Sequence, residues 1–300
     1  MPRVSIGLPV YNGENFIREA IEGILAQSFQ DWELIISDNA STDATPEICQ
    51  ACVKADRRIH YHRQEKNLGA IPNYNFVFEK SSGEYFKWSA HDDLIGPAFL
   101  DHCVEALDRN PEVVLSFPEI GYADENGKLL RRVQGDLSIR ASNPGERMAA
   151  FVKMQAQSTD LFWTIFGLIR ADALRATGLF DTFVASDRVL LMRLLLRGQF
   201  QQVEGSYYYR REHPKASTIN LPRLRKYRAA AKWYDAQSQQ RIVMPNWRLL
   251  AEYSAAIKDA RLNWQAKAQC HYWLACLSAL RWKKLLLEIS SIPGQIFGTR

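Results

Sequence analysis

Hydrophobic positions in the first 120 residues alternate between short continuous runs and runs with helical spacing. "VSIGL" (4–8) is followed by Phe16, Ile17, Ala20, Ile21, Ile24 and Leu25, which fall on one face of a helix. "ELIIS" (33–37) precedes a second helical stretch that Ser41 or Thr42 would cap, with Pro46 in its first turn. Three more strand-like runs, "IHYHR" (59–63), "YFKWS" (85–89) and "VVLSF" (113–117), alternate with helical patterns over 70–80 and 97–109. Short buried strands joined by crossover helices predict an α/β fold with a doubly wound, mostly parallel, Rossmann-like sheet.

The pattern loosens after residue 120. A helix near 144–156, a strand across "TIFGLIR" (164–170), a Gly-Leu-Phe-Asp turn at 178–181, a helix from Asp187 to Arg197 and a short strand near 200–204 are expected. Beyond Pro222 the periods lengthen into a helical extension. Cys270, Trp273, Leu274, Leu277 and Leu280 make one apolar stripe there, and Leu285, Leu286, Ile289 and Ile292 make another. The division that follows is one domain over 1–220, with halves meeting near residue 120, and a helical region over 221–300.

Composition narrows the class. A chain of 300 residues that is 47% hydrophobic is neither disordered nor fibrous. It contains no run of eighteen apolar residues, and "MPRVSIGLPVYNG" lacks the marks of a signal peptide, so a cytoplasmic protein is expected. The five cysteines are scattered and odd in number, which suits reduced thiols. Cys49 and Cys52, with His60 and His62 nearby, would suit a metal. Without a second pair at zinc spacing they read instead as thiols on a helix.

Charge is unevenly placed. Residues 1–220 carry 24 Lys and Arg against 29 Asp and Glu, a net −5, whereas 221–300 carry 14 against 4, a net +10, together with five of the eight tryptophans. A basic, Trp-rich helical region suits peripheral contact with an anionic membrane, here through 281–298, or a cap over the first domain or a second subunit, that is, a homo-oligomer. No nucleic-acid recognition motif accompanies the charge.

In doubly wound sheets ligands lie beyond the carboxyl ends of the strands. The polar loops "PVYNGEN", "DNASTD", "NLG" and "AHDD" all fall there. Asp92 and Asp93 repel each other in a cleft unless a hard cation, Mg²⁺ or Mn²⁺, takes their oxygens and leaves positions for a diphosphate. The plainer alternative is a solvated Asp-Asp turn capping the next helix.

These segments, with "GLFD" and "ASDRVLLMRLLLRG", resemble the inverting family 2 glycosyltransferases of the GT-A fold over about residues 3–217. The resemblance implies transfer of a sugar from a nucleotide-diphosphate donor, UDP- or dTDP-linked, to a hydroxyl on a saccharide or lipid-linked acceptor. It implies that Pro9, Tyr11, Asn12 and Glu14 line base and ribose, and that Asp38 accepts the imide N–H of the base. Asn67, Gly69 and Asn75 would complete the donor pocket. "AHDD" is similar to the family's Asp-x-Asp motif with the leading aspartate replaced, which assigns diphosphate and metal to Asp92 and Asp93, with His91 orienting a carboxylate or touching the sugar. Asp187 would be the base that deprotonates the acceptor, although Ser186 stands where the family has glutamate. In "YYYRREHPKAST", Arg210 or Arg211 would pair with phosphate oxygens and His213 would reach the metal, or the segment is an ordinary basic loop. Tyr74 stands where the family commonly has arginine. The rival readings are a scaffold that binds nucleotide sugar without turnover and a sugar nucleotidyltransferase; the latter would want a Gly-rich phosphate loop that "PVYNGEN" lacks.

Overall fold

The computed structural model describes residues 1–214, 216, 234 and 242–297. The helical patterns expected over 222–241, Trp233 among them, lie outside the described residues apart from Tyr234. Nine strands form one sheet among the described residues, in the order β3-β2-β1-β4-β8-β6-β9-β5, with β7 paired to β6. β1 (Val4–Val10), β2 (Trp32–Asp38), β3 (Ile59–Arg63) and β4 (Tyr85–Trp88) are mutually parallel. β8 (Leu168–Arg170) enters antiparallel between β4 and β6 (Val113–Ala123), and β9 (Gln199–Arg211) runs parallel to β6. The short strands β5 (Leu94–Ile95) and β7 (Leu129–Arg132) are antiparallel to β9 and β6.

The helices α1 (Ile17–Leu25), α2 (Thr45–Ala55), α3 (Ala70–Glu79) and α4 (Phe99–Arg109) are the expected crossovers. All seven residues of β1 are buried, as a central parallel strand requires. α1 turns Ile17, Ala20, Ile21 and Ile24 inward, the stripe read from the sequence. Gly7 is where α3 crosses β1 most closely: a Cβ there would lie 2.5 Å from Val77 Cγ2.

Four expectations change. Ser41 and Thr42 do not cap α2, which starts at Thr45; carboxylates of Asp43 and Glu14 take the N–H groups of Thr45 and Ala44 at 3.0 Å each. The strand expected over 164–170 is a 3-10 helix at Asp160–Phe166 followed by three strand residues. The Thr164 hydroxyl bonds back to Leu161 O at 2.7 Å, and Gly167 N–H to Thr164 O at 2.8 Å, which keeps the segment coiled. The strand near 200–204 continues to Arg211, because its second half pairs with the extended end of β6 beyond Pro118. Leu280 is 64% exposed and leaves its predicted stripe.

After α5 (Pro144–Gln157), α6 (Ala171–Arg175) and α7 (Ser186–Leu195) come three C-terminal helices, α8 (Pro245–Asp259), α9 (Trp264–Leu280) and α10 (Trp282–Phe297). Leu249, Tyr253, Ile257, Cys270, Leu274 and Leu277 join the main hydrophobic core, α9 packing on α5 and α8 on α7. α10 is different. Leu285 is 8% exposed, but Trp282, Leu286 and Ile289 are 54, 55 and 46% exposed. Spaced i, i+4, i+7, they form an outward apolar stripe. No described helix is long and apolar enough to cross a membrane.

Candidate active site

The loops at the carboxyl ends of β1, β2 and β3 are tied to one another through side chains that hold backbone N–H groups. Asp38 ends β2, opposite Val10 and Arg63 in register, and is fully buried. One carboxylate oxygen accepts the Ser41 N–H at 2.8 Å and the other the Tyr61 hydroxyl at 2.6 Å, with Arg63 Nε 3.8 Å away. Burial, helped by Asp38, pushes the Tyr61 hydroxyl up, so it remains a donor. Asn12, at φ 53°, accepts the Thr42 N–H at 2.9 Å, and its own N–H goes to the Ser41 hydroxyl at 2.9 Å. Gly13 N–H donates to Thr45 Oγ1 at 2.8 Å and Glu14 N–H to Asp43 at 3.1 Å. Pro9 is buried within β1, and Tyr11 stands 46% exposed beside it.

Asn39, which the sequence reading missed, organises the third loop. It is 3% exposed; its amide nitrogen donates to Asn67 Oδ1 and Gly69 O, both at 3.0 Å, and its oxygen accepts Leu68 N–H at 2.8 Å. Asn67 also accepts Gly69 N–H at 2.8 Å, and Gly69, at φ 92°, turns the chain into α3. Adjacent Asn residues in loops signal such side chain to backbone bonding, though not its partner.

Asp92 and Asp93 diverge. Asp92 Oδ2 lies 3.0 Å from His213 Nε2, and the His213 ring packs 4.7 Å from that of Phe16. Asp93 accepts the Tyr208 hydroxyl on one oxygen and Arg211 N–H, at 2.9 Å, on the other. It borders a 380 Å³ cleft beneath α1 with Glu19, Glu22, Asn126 and Tyr207. Burial, then the neighbouring Asp92, pushes the Asp93 carboxyl up to about 7. His91 lies over Gly13, where a Cβ would be 2.7 Å from its ring.

Arg211 holds this turn in place. It is 2% exposed, donating from Nε to Asp92 O at 2.8 Å, from Nη1 to Glu125 O at 2.6 Å and from Nη2 to Glu19 at 2.6 Å. Its guanidinium is therefore a brace between α1, β9 and the two aspartates, engaged on all three nitrogens. Arg210 instead lies 4.5 Å over the Trp163 ring and 6.0 Å from Tyr122.

Among the described residues no three His, Cys, Asp or Glu side chains converge as a metal cage. Of Asp92, Asp93 and His213, it is Asp92 and His213 that meet. One hard oxygen and one imidazole nitrogen fit a divalent cation that takes its remaining ligands from phosphates and water, Mn²⁺ more readily than Mg²⁺.

Asp187 stands in the first turn of α7, half-buried, after Ala185 at φ 72°. Burial raises its carboxyl above the ordinary range, opposed by Arg188 and by backbone N–H groups. Ser186 beside it is 1% exposed and its hydroxyl has no partner among the described residues. The Asn75 amide, expected in the donor pocket, donates to Phe180 O at 2.9 Å and accepts Phe180 N–H at 3.2 Å, fastening α3 to the Gly-Leu-Phe-Asp turn. Tyr74, Trp88 and Phe180 pack together there, Trp88 and Phe180 with ring centroids 4.7 Å apart.

Two buried groups gave no sequence signal. Tyr208 looked like part of a basic loop. Lys87 sat in an apolar run, yet is fully buried in β4, donating to Trp88 O at 2.9 Å and Phe166 O at 3.0 Å above the Phe99 ring. Burial pushes its amine down to about 7.

Comparison with known proteins fits this arrangement. The sequence profile of glycosyl transferase family 2 matches residues 5–177, and the chain belongs to that family. A putative teichuronic acid biosynthesis glycosyltransferase of Bacillus subtilis is 39% identical over 92 residues, 31% of this chain and 36% of the relative. An uncharacterized glycosyltransferase of Rickettsia bellii is 33% identical over 136 residues, 45% of this chain and 19% of the relative. The chain thus matches well under half the length of these relatives. Among solved structures, S. aureus TarS 1-349 in complex with UDP-GlcNAc superposes with a TM-score of 0.65 at 16% identity, covering 94% of this chain and 73% of that one. The mannosyltransferase PcManGT of Pyrobaculum calidifontis, in complex with GDP-Man and Mn²⁺, gives 0.52 at 16% identity, over 100% and 88%. At such identity the likeness shows the fold, an α/β GT-A-type architecture.

Proposed function

We propose that the chain transfers a sugar, with inversion, from a UDP- or dTDP-linked donor to a hydroxyl of a saccharide or lipid-linked acceptor. The observation that carries this reading is the meeting of Asp92 and His213 beside the braced loop ends of β1, β2 and β3. Nucleotide would lie along Pro9, Tyr11 and Asp38, its diphosphate towards Asp92. Asp92 and His213 would hold a divalent cation, which would supply positive charge to the departing diphosphate. The half-buried Asp187, its proton affinity raised by burial, takes the proton of the acceptor hydroxyl as that oxygen bonds the anomeric carbon and the bond to the diphosphate breaks. No covalent sugar–enzyme intermediate is needed. The PcManGT complex with Mn²⁺ and the TarS complex with UDP-GlcNAc support a cation and a nucleotide sugar in this fold. The outward stripe of Trp282, Leu286 and Ile289, beside Lys283 and Lys284, supports peripheral contact with an anionic membrane.

Calorimetric titration with UDP, dTDP, GDP and CDP, with and without Mn²⁺, tests the reading on wild type and Asp92→Ala. One nucleotide is expected to bind tightly only with Mn²⁺, and the variant to lose that dependence. Absence of nucleotide binding by folded wild-type protein would sink it.

A further inference from the structure

The sheet parts where β4 ends. β4 pairs with β8 through Tyr85–Arg170 and Phe86–Ile169 and no further, and the 3-10 helix that leads into β8 closes at Phe166. Beyond that point the amine of Lys87 bridges two backbone carbonyls, Trp88 O at 2.9 Å and Phe166 O at 3.0 Å. The side chain is fully buried, with Nζ 4.5 Å above the Phe99 ring and 5.8 Å from that of Tyr208. Two carbonyl oxygens brought to one point repel each other unless a donor stands between them, and the ladder of β4 with β8 has stopped before it could supply one. A lysine inside a strand reaches such a gap with several N–H donors on one atom.

Both ends of this bridge lead to the candidate site. Trp88 stands four residues before Asp92, and between them the buried Ser89 donates its N–H to Gly7 O at 2.8 Å. The Phe166 ring stacks on that of Tyr208, with centroids 5.4 Å apart and planes 16° from parallel, and the Tyr208 hydroxyl donates to Asp93. Stability does not account for the amine. Its two partners are neutral carbonyls, and burial, opposed more weakly by Cys103 and Asp93, pushes it down to about 7. At neutral pH desolvation therefore takes back much of what the two hydrogen bonds contribute. A buried polar group with little net effect on stability still fixes geometry, because its donors are satisfied in one arrangement. We propose that Lys87 is a positioning residue for the transfer: it sets the turn bearing Asp92 against the Phe166–Tyr208 stack behind Asp93, and so the seat of the diphosphate and its cation. This role deepens the transfer reading and rests on it for the diphosphate and the cation, though not for the placement of the turn.

The test uses the full chain as wild type, as Lys87→Met, which keeps the length and removes the donors, and as Lys87→Gln, which keeps donors and removes the charge. Calorimetry measures UDP binding at pH 7 with and without Mn²⁺, urea unfolding measures stability, and proton–nitrogen NMR of the histidine rings follows His213, 3.0 Å from Asp92, with no ligand present. In Lys87→Met, UDP affinity in Mn²⁺ is expected to fall more than tenfold, while UDP affinity without Mn²⁺ stays within twofold and the urea midpoint stays close to that of wild type. The His213 signals are expected to shift, and those of His60 and His62 on β3 to stay in place. Lys87→Gln should recover part of the lost affinity. A purely structural role would lower the urea midpoint and both UDP affinities together; that result, or failure of both variants to fold, would overturn the proposal. So would unmoved His213 signals with Mn²⁺-dependent affinity kept within twofold. Wild type that binds UDP without regard to Mn²⁺ would remove the cation from the transfer reading and leave the decision to His213: shifted signals would keep Lys87 as the residue that places the turn, and unmoved signals would end that role.

Discussion

On the β1–β3 side of the crevice, Asn12, Glu14, Asp38, Asn39 and Asn67 each hold a backbone N–H of a polar loop, those of Thr42, Ala44, Ser41, Leu68 and Gly69. On the Asp187 side, Ser186, Gln155 and Tyr253 keep buried polar atoms that nothing in the described chain meets. The first rim is preorganised: its loops have their shape before any ligand arrives, so binding there need not order them. The second side has no such network among the described residues: its buried polar atoms stay unpaired.

The largest effect expected from breaking this contrast is at Asp187. Asp187→Asn keeps the shape and removes the proposed base, so turnover should fall about 10²- to 10⁴-fold. Nucleotide affinity, which the proposal assigns to the other rim, should not change. A parallel loss of nucleotide binding would show that the two rims are not separable.

A smaller effect is expected at Lys87, beneath both rims. Its amine titrates at about 7 in the folded chain and near 10.4 when unfolded. Between those values the unfolded chain holds the proton and the folded chain does not, so stability should rise with pH from about 7 to 10, by roughly a few kcal/mol. Below pH 7 the destabilising contribution is fully present. Urea denaturation of Lys87→Met at pH 6 and pH 10 should show a much smaller difference than wild type; an unchanged pH slope would mean that other groups set it.

The smallest is at Asn75. Asn75→Ala removes two hydrogen bonds to the Phe180 backbone and should cost about 1–2 kcal/mol of stability in urea unfolding. UDP affinity should hold. A drop in affinity at unchanged stability would place Asn75 in the nucleotide pocket.

The strand and helix alternation of residues 1–109 was legible because every crossover is local and each apolar run has one period. "DNASTD" and "NLG" announced loops with side chain to backbone bonding, and the Asp-Asp turn announced an unusual charge. What the sequence withheld depended on distant partners. Arg211 reads as a basic loop residue until Glu19, 192 positions away, is seen beside it. Asn75 reads as a donor-pocket residue, and nothing near it in the chain announces Phe180, 105 positions on, as its partner. Lys87 broke the apolar run of β4 without declaring itself buried, and the strand expected over 164–170 looked extended because its β-branched and aromatic residues outweighed the Thr164 and Gly167 bonds that coil it.

β9 works as a ruler laid across the crevice. Tyr208 and Arg210 fall on one side of its pleat, against Phe166 and Trp163, while the stacked rings of Tyr207 and Tyr209 fall on the other. Its far end delivers Arg211 to the aspartates and, two residues on, His213 to Asp92. A single inserted or deleted residue upstream of Tyr207 would exchange the two sides throughout, moving ring, guanidinium and imidazole at once. The chain thus encodes the spacing of its chemistry as a reading frame, in which loss of count is more damaging than loss of any one letter.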